Sequence, residues 1–354
     1  MERSRSYIAT PPGATVKEQL IYRRMTQKEF AVRMGMSEKH ISKLINGEVQ
    51  LTIDVARRLE LVLGVPAQFW CNLEALYREK LAKVDEENAM DKDIEMVRKF
   101  PYKEMAKNSW VEETIKIEEK VINLRKFFEV FRLELLQENL VPAGIACRRL
   151  SETEKSYYAL VAWAQKAKLQ SREIRTQPIN IKALKASVPK IRQMTKLLPE
   201  EFCSILADLL AECGIAIVFL PHIGGSFLHG ATFYDGDKIV LGLTVRGKDA
   251  DKFWFSLFHE IGHIILGHIG NVNGTTDDDE QAADRYAENT LIPEEAFHKF
   301  VTRNQIYSED VIIRFAEEEN IDAGIVLGRL QKYGYVQYGW YKNLKRQYCI
   351  KMDT

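Results

Sequence analysis

Short stretches of helical spacing, separated by glycines and capping residues, fill the first fifth of the chain. Leu20, Ile21 and Tyr22 belong to the first stretch. A second carries Phe30, Ala31 and Met34, with Thr26 placed to cap it and Gly35 to break the chain. Ser37 opens a third, in which Ile41, Leu44 and Ile45 share one face, and Asn46-Gly47 ends it. A fourth begins at Thr52 or Asp54, turns Val55, Leu59 and Val62 inward, and stops at Gly64 and Pro66. Residues 1–14 read as a flexible arm ending in Pro11-Pro12-Gly13. Residues 67 to about 140 are helical throughout in pattern. Phe69-Trp70 to Val84 forms one amphipathic helix, and Trp110–Leu140 contains at least one long helix.

The pattern changes after Glu200. A helix over Phe202–Cys213 leads into the apolar, strand-sized run Ile215–Leu220. Ala231–Tyr234, the turn residues Asp235-Gly236-Asp237 and a strand over Lys238–Val245 predict a hairpin. Helices follow over Asp251–Gly267, Asp278–Leu291, Ser308–Asn320 and Ala323–Tyr333, before an aromatic, basic tail. The expected fold is mainly α with a small α+β part. Its three sections are a helix-turn-helix domain (1–70), a helical middle (71–199) and a C-terminal domain (200–354).

Composition narrows the class. The 354 residues are 46% hydrophobic and 28% charged, which suits a globular protein of two or three domains. No run approaches the ~20 apolar residues of a membrane span, and no secretory signal opens the chain. The five cysteines (Cys71, Cys147, Cys203, Cys213, Cys349) form no CxxC pair, which excludes a zinc ribbon or a dithiol redox motif. They read as reduced, buried thiols in a cytoplasmic protein. Lys+Arg and Asp+Glu both number 50, yet residues 142–199 hold 12 basic side chains against 3 acidic. That excess is either a solvated basic face or a surface for an acidic partner or phosphates.

The glycine turn between the second and third helices fits a helix-turn-helix, whose second helix enters the major groove. With Ile41, Leu44 and Ile45 inward, Ser37, Glu38, Lys39, His40, Ser42 and Lys43 are left to meet base edges or phosphates. Gln27 and Lys28 are placed to reach the DNA backbone. Residues 1–64 carry 11 basic and 7 acidic side chains, which suits double-stranded DNA. A small helical bundle that only mediates protein contacts is the alternative.

Further along, His259-Glu260-Ile261-Gly262-His263 places two histidines at i and i+4, on one helix face, where both can bind one metal. Glu260 between them can reach a metal-bound water as general base. A catalytic zinc takes three protein ligands and keeps one position for water. His268 fits the third position poorly. Glu280 fits better, at the start of a helix whose Ala282 and Ala283 permit close approach. Asp284, one turn on, can bond the free imidazole N–H of a ligand histidine and fix its orientation. The alternative for Glu280 and Asp284 is a solvated acidic helix start, since Asp277-Asp278-Asp279 precede them. His222, His229, His298 and Tyr234 are weaker candidates. Of these, His229, in a glycine-rich loop, and Tyr234 could assist an oxyanion; the favoured alternative for each is a satisfied loop or surface residue.

Two families resemble these segments. Met25-Thr26-Gln27-Lys28-Glu29-Phe30-Ala31, Gly35-Met36-Ser37 and Ile41-Ser42-Lys43-Leu44-Ile45-Asn46-Gly47 resemble the XRE (lambda-repressor-like) helix-turn-helix family. The flanks Tyr7–Gly13 and Leu63–Trp70 resemble its HigA-type antitoxin branch. Phe253–His263, Glu280–Ala287, Leu291-Ile292-Pro293 and Gly324–Gln331 resemble the ImmA/IrrE metallopeptidases. The second resemblance implies a zincin-like fold, a Zn2+ held at His259, His263 and Glu280, Glu260 as base, and repressors among the substrates.

The expected reaction is peptide-bond hydrolysis, zinc lowering the pKa of its water to ~7 while Glu260 takes the proton. Lys238–Val245 is expected to serve as the sheet edge for an extended substrate. The expected partners are a DNA operator, a protein substrate or toxin, and a second copy of the chain, with no membrane. The competing reading is an antitoxin-like repressor whose C-terminal domain binds a partner or senses a signal without cutting.

Overall fold

The computed structural model describes residues 2–137, 154–224, 230–244, 249–270 and 275–348. Cys147, Cys349, His229 and the first part of the basic segment, residues 142–153, lie outside them. The chain divides into two compact units, Met1–Glu95 and Met96–Thr354.

The first unit is helical: α1 (Pro12–Tyr22), α2 (Gln27–Met34), α3 (Glu38–Asn46), α4 (Ile53–Leu63) and most of α5 (Ala67–Val97). The expected caps are in place. Thr26, Ser37 and Thr52 side chains accept from the backbone N–H of Glu29, His40 and Val55. Gly35, Gly47 and Gly64 close α2, α3 and α4 in the left-handed conformation. Phe30, Met34, Ile41, Leu44 and Leu59 are fully buried together with Trp70. Each such side chain contributes about 1.5–3 kcal/mol relative to exposure. Val62 is only partly buried, and Leu63 takes the inward place.

The N-terminal arm differs from expectation. Glu2–Arg3 (β1) and Ile8–Ala9 (β2) pair as an antiparallel ribbon. Glu87 on α5 accepts from the Ser6 N–H at 2.8 Å and from the Ser6 and Ser4 hydroxyls. These hydrogen bonds hold its pKa down at about 2. Pro12 occupies the first turn of α1 instead of closing the arm, since proline needs no N–H there. Gly13 is required because a Cβ would strike the Ile45 backbone of α3.

The second unit begins with the end of α5 and continues through α6 (Tyr102–Lys107), α7 (Ile117–Phe128), α8 (Glu154–Ser171) and α9 (Ile181–Gln193). Then come α10 (Pro199–Glu212), β3 (Ile215–Leu220), β4 (Gly230–Asp235) and β5 (Lys238–Thr244). Five helices close the chain: α11 (Ala250–Leu266), α12 (Asp277–Leu291), α13 (Glu294–Arg303), α14 (Glu309–Glu318) and α15 (Ala323–Lys332). The hairpin turns at Gly236-Asp237, with Asp235 opposite Lys238. The sheet order is β3-β5-β4, with β5 parallel to β3 and antiparallel to β4. The strand over 238–244 is therefore central. Both of its edges are hydrogen-bonded, so it cannot accept a substrate strand; among the described residues β3 and β4 are the edge strands, and β4 is the one that packs most on α11.

Alternation along the strands separates two packed faces. Ile215, Ile217, Ile239, Leu241 and Leu243 join the core that also contains Trp254, Leu257, Phe258 and Ile261 of α11. On the other face Gly242 lies against the buried Trp163 ring of α8, where a Cβ would collide. The C-terminal segment anchors α11. The Ala250 N–H bonds the Arg346 carbonyl at 3.0 Å, and Trp254 Nε1–H donates to the Tyr348 hydroxyl at 2.8 Å.

Several basic side chains of the 142–199 segment are engaged within the protein. Arg172 makes a two-pronged contact with Glu129 at 2.6 and 2.7 Å. Arg192 donates to the Leu291 carbonyl at 3.0 Å and faces Glu319 at 3.5 Å. Cys71, Cys203 and Cys213 are free thiols, and burial pushes Cys203 up to about 11. Among the described residues, no helix is long and apolar enough to cross a membrane.

Candidate metal centre and nucleic-acid interface

The donor cluster forms where α11 packs on the first turn of α12. Close approach is permitted at Gly262, whose missing Cβ would lie 3.1 Å from Tyr286 and 3.4 Å from the Ala283 Cα. Ala283 is fully buried, while Ala282 is only partly so. His259 and His263 stand one turn apart on α11 with their Nε2 atoms 3.0 Å from each other. A Glu280 oxygen lies 3.3 Å from His259 Nε2, and the other lies 3.6 Å from His263 Nε2. One ligand atom from each of these three residues falls within 4.8 Å of the others.

Those spacings fit a zinc ion. Two ligands about 2.0–2.1 Å from a tetrahedral zinc sit roughly 3.3 Å apart. Two imidazole nitrogens and one carboxylate form a donor set that leaves a fourth position open.

Each site residue is held by a separate neighbour. Asp284 Oδ1 lies 2.8 Å from His259 Nδ1, which leaves Nε2 free to face the cluster. The Thr275 hydroxyl donates to Glu280 Oε1 at 2.6 Å. The Thr232 hydroxyl of β4 donates to Glu260 Oε2 at 2.5 Å. His268 Nδ1 stands 3.1 Å from His263 Nδ1, with Asp279 Oδ1 3.5 Å from its Nε2. Sequence reading reached Asp284 only. Thr232 and Thr275 carry no signal of this kind in the sequence, and His268, a poor fit as third ligand by its spacing, lies behind His263.

Charge in the cluster follows from these contacts. Burial pulls the His259 pKa down, but the Asp284 and Glu280 carboxylates outweigh it and raise it to about 10. Burial would raise Glu280 and Asp284, yet hydrogen bonds from the histidines hold both carboxyls below their ordinary range. Glu260 is fully enclosed, and burial pushes its carboxyl up against the pull of both histidines and Thr232. Gly230 of β4 gives Glu260 its space: a Cβ there would approach Oε1 to 2.7 Å. Tyr234 is half exposed beside Gly270 and makes no described contact with the cluster.

In the first unit, Ser37, Glu38, Lys39 and Lys43 are exposed on α3 or at its cap, and Lys28 is exposed on α2. Gln27 and Ser42 are half-buried. His40 is also half-buried, with Nε2 enclosed and without a described hydrogen-bond partner. The exposed α3 residues therefore form a narrower face than the sequence pattern implied.

The helical unit with its exposed α3 face and the second unit with its two-histidine, one-carboxylate cluster each match a known family. Residues 16–70 match the family described as Helix-turn-helix. Residues 217–331 match the IrrE N-terminal-like domain family. In Escherichia coli (strain K12), the uncharacterized HTH-type transcriptional regulator YddM is 33% identical over 63 residues, 18% of this chain and 67% of that relative. Through its N-terminal domain the chain belongs to the XRE-type helix-turn-helix regulators, and its C-terminal part resembles the IrrE/ImmA-like domain over residues 217–331.

Proposed function

We propose that this protein is a DNA-binding transcriptional regulator that cuts a protein partner by zinc-dependent endoproteolysis. The cut partner is a repressor, a toxin or a copy of the chain itself, in a toxin–antitoxin, mobile-element or stress-response setting. Residues 1–70 bind a double-stranded operator as a cytoplasmic homodimer. Lys28, Lys39 and Lys43 contact phosphates, while Gln27, Ser37, Glu38 and Ser42 supply further polar contacts. His259, His263 and Glu280 hold the zinc, which supplies Lewis acidity toward water and the scissile carbonyl.

The observation that carries the reading is Glu260. It is a buried carboxylate next to the donor cluster without being part of it, held by Thr232 at 2.5 Å. In this position it accepts the proton of the attacking water and passes it to the leaving amine. The outer edge of β4 is unpaired among the described residues, and β4 carries Thr232 and Gly230 past Glu260. An extended peptide added there by backbone hydrogen bonds lies beside the base. Asp284 and Lys332, 3.9 Å apart, balance charge behind His259.

The test uses full-length protein loaded with zinc and incubated with the products of its neighbouring genes. Wild type should cut one of them or itself. Glu260→Gln should retain one zinc per chain and lose about 10²–10⁴-fold in cleavage rate. Equal cleavage by both proteins, or no cleavage of any neighbour or of the chain itself, would remove the proteolytic reading and leave a regulator whose C-terminal domain only binds.

A further inference from the structure

One helical turn beyond the donor cluster, α11, α12 and α15 line a cavity of about 370 Å³. That volume lies at the small end of the ~300–1,000 Å³ typical of small-molecule sites. Phe255, Leu291, Ile292 and Ile325 make most of its wall apolar. Four cations and two carboxylates stand around it, and three of the cations already have acidic partners. Lys345 pairs with Asp251 at 2.7 Å, Lys252 with Asp249 at 2.8 Å and Lys332 with Glu288 at 2.7 Å.

Arg329 differs from the other three. Among the described residues its guanidinium meets no carboxylate. Nη1 donates to the backbone carbonyls of Glu288 at 3.2 Å and Ile292 at 2.5 Å, and Nε is buried without a partner. The Phe297 ring 4.2 Å away offers a π face but no anion. The carbonyls at the C-terminal end of α12 offset part of this charge, but a guanidinium beside an apolar wall still lacks a full counter-charge. A carboxylate answers it with charge-assisted hydrogen bonds. Lys332 Nζ stands on the same lining, over the Phe255 ring at 4.9 Å, and is about half exposed.

We propose that this cavity binds a small amphipathic acid, with its carboxylate held by Arg329 and Lys332 and its apolar body against Phe255, Leu291 and Ile325. The site abuts the donor cluster without sharing a residue with it, so binding requires neither zinc nor proteolysis. Ser256 lines the cavity and is small, so a large side chain at this position occupies the ligand's space.

The experiment is calorimetric titration of the full-length protein with octanoate, octan-1-ol and octyltrimethylammonium, three ligands of equal chain length. Octanoate should saturate at one equivalent, with the alcohol and the cation at least about tenfold weaker. Ser256→Trp and Lys332→Met should each weaken octanoate by about tenfold or more, and Lys332→Arg should retain most of the affinity. Circular dichroism confirms that each variant is folded. Because Lys332 is half exposed, its substitution serves if the Trp variant does not fold. Failure of octanoate to saturate at millimolar concentration would overturn the proposal. So would an alcohol that binds as tightly as the acid, or folded variants with unchanged affinity.

Discussion

The Nδ1 atoms of His263 and His268 lie 3.1 Å apart, and a helix end puts them there. Gly267 closes α11 in the left-handed conformation, and the His268 N–H then bonds the His263 carbonyl at 2.9 Å. That backbone bond folds the His268 ring onto the ring one turn behind it. One proton can sit between the two nitrogens. With a metal on His263 Nε2, its Nδ1 would carry that proton and His268 would accept it. Burial lowers the His268 pKa against the pull of Asp279, which keeps the ring a neutral acceptor.

We therefore expect His268→Phe to weaken zinc binding about 10–100-fold, as loss of a ligand's hydrogen-bond partner does, while stoichiometry at saturating zinc stays unchanged. Competition with a chromophoric chelator measures both quantities. An unaltered zinc affinity would show that His268 does not position His263.

Metal uptake should release protons. Without a bound cation, His259 has a pKa raised to about 10 and is protonated at neutral pH. Zinc requires its neutral form, so binding displaces about one proton from this ring. Raising the pH removes the competing proton, and the apparent affinity should climb until pH passes about 10. Calorimetry in buffers of different ionisation enthalpy counts the protons directly. An affinity independent of pH between 6 and 8, roughly the range where histidine ordinarily titrates, would contradict this.

The base should respond to its β4 neighbour. Burial raises the Glu260 pKa, and the Thr232 hydroxyl opposes that by bonding the ionised form. Thr232→Val keeps the shape and removes the donor, so the folded-state pKa should rise further. A base works only when ionised. The acid limb of the cleavage–pH profile should therefore move to higher pH, with zinc content unchanged. A limb that stays in place would separate Thr232 from the reaction.

On the DNA side, Lys39 and Lys43 are exposed one turn apart on α3. Replacing both with alanine should weaken binding to an operator with half-sites about 34–36 Å apart, or multiples of that. The slope of log affinity against log salt should fall by about 0.9 for each phosphate that is no longer neutralised. Gel shifts across a salt series test this. An unchanged slope would point to a protein-binding role for the domain.

Much of the molecule was legible residue by residue. Thr26, Ser37 and Thr52 cap helices because a hydroxyl three residues from an N–H needs no distant partner. The Gly236-Asp237 hairpin rests on local backbone preference in the same way. Helix spacing alone puts His259 and His263 on one face. One local signal was available but unread: α13 follows Pro293 with Glu294 and Glu295 in its first turn, a pattern typical of a helix start.

What the sequence determined by itself was therefore local: helix starts and stops, the turn, and the i, i+4 histidines, all set by chemistry within a few residues. The sheet order was not. A buried strand reads as the same apolar run at an edge or at the centre, and only the pairing of β3 with β5 puts 238–244 in the middle and β4 at the edge. Nor could the chain show that Gly13 belongs inside a helix, because its reason is the Ile45 backbone on α3. Thr232, 28 residues before Glu260, became its hydrogen-bond donor only once β4 packed on α11. Such partners are decided by which surfaces are buried against each other, and burial is a property of the whole folded domain.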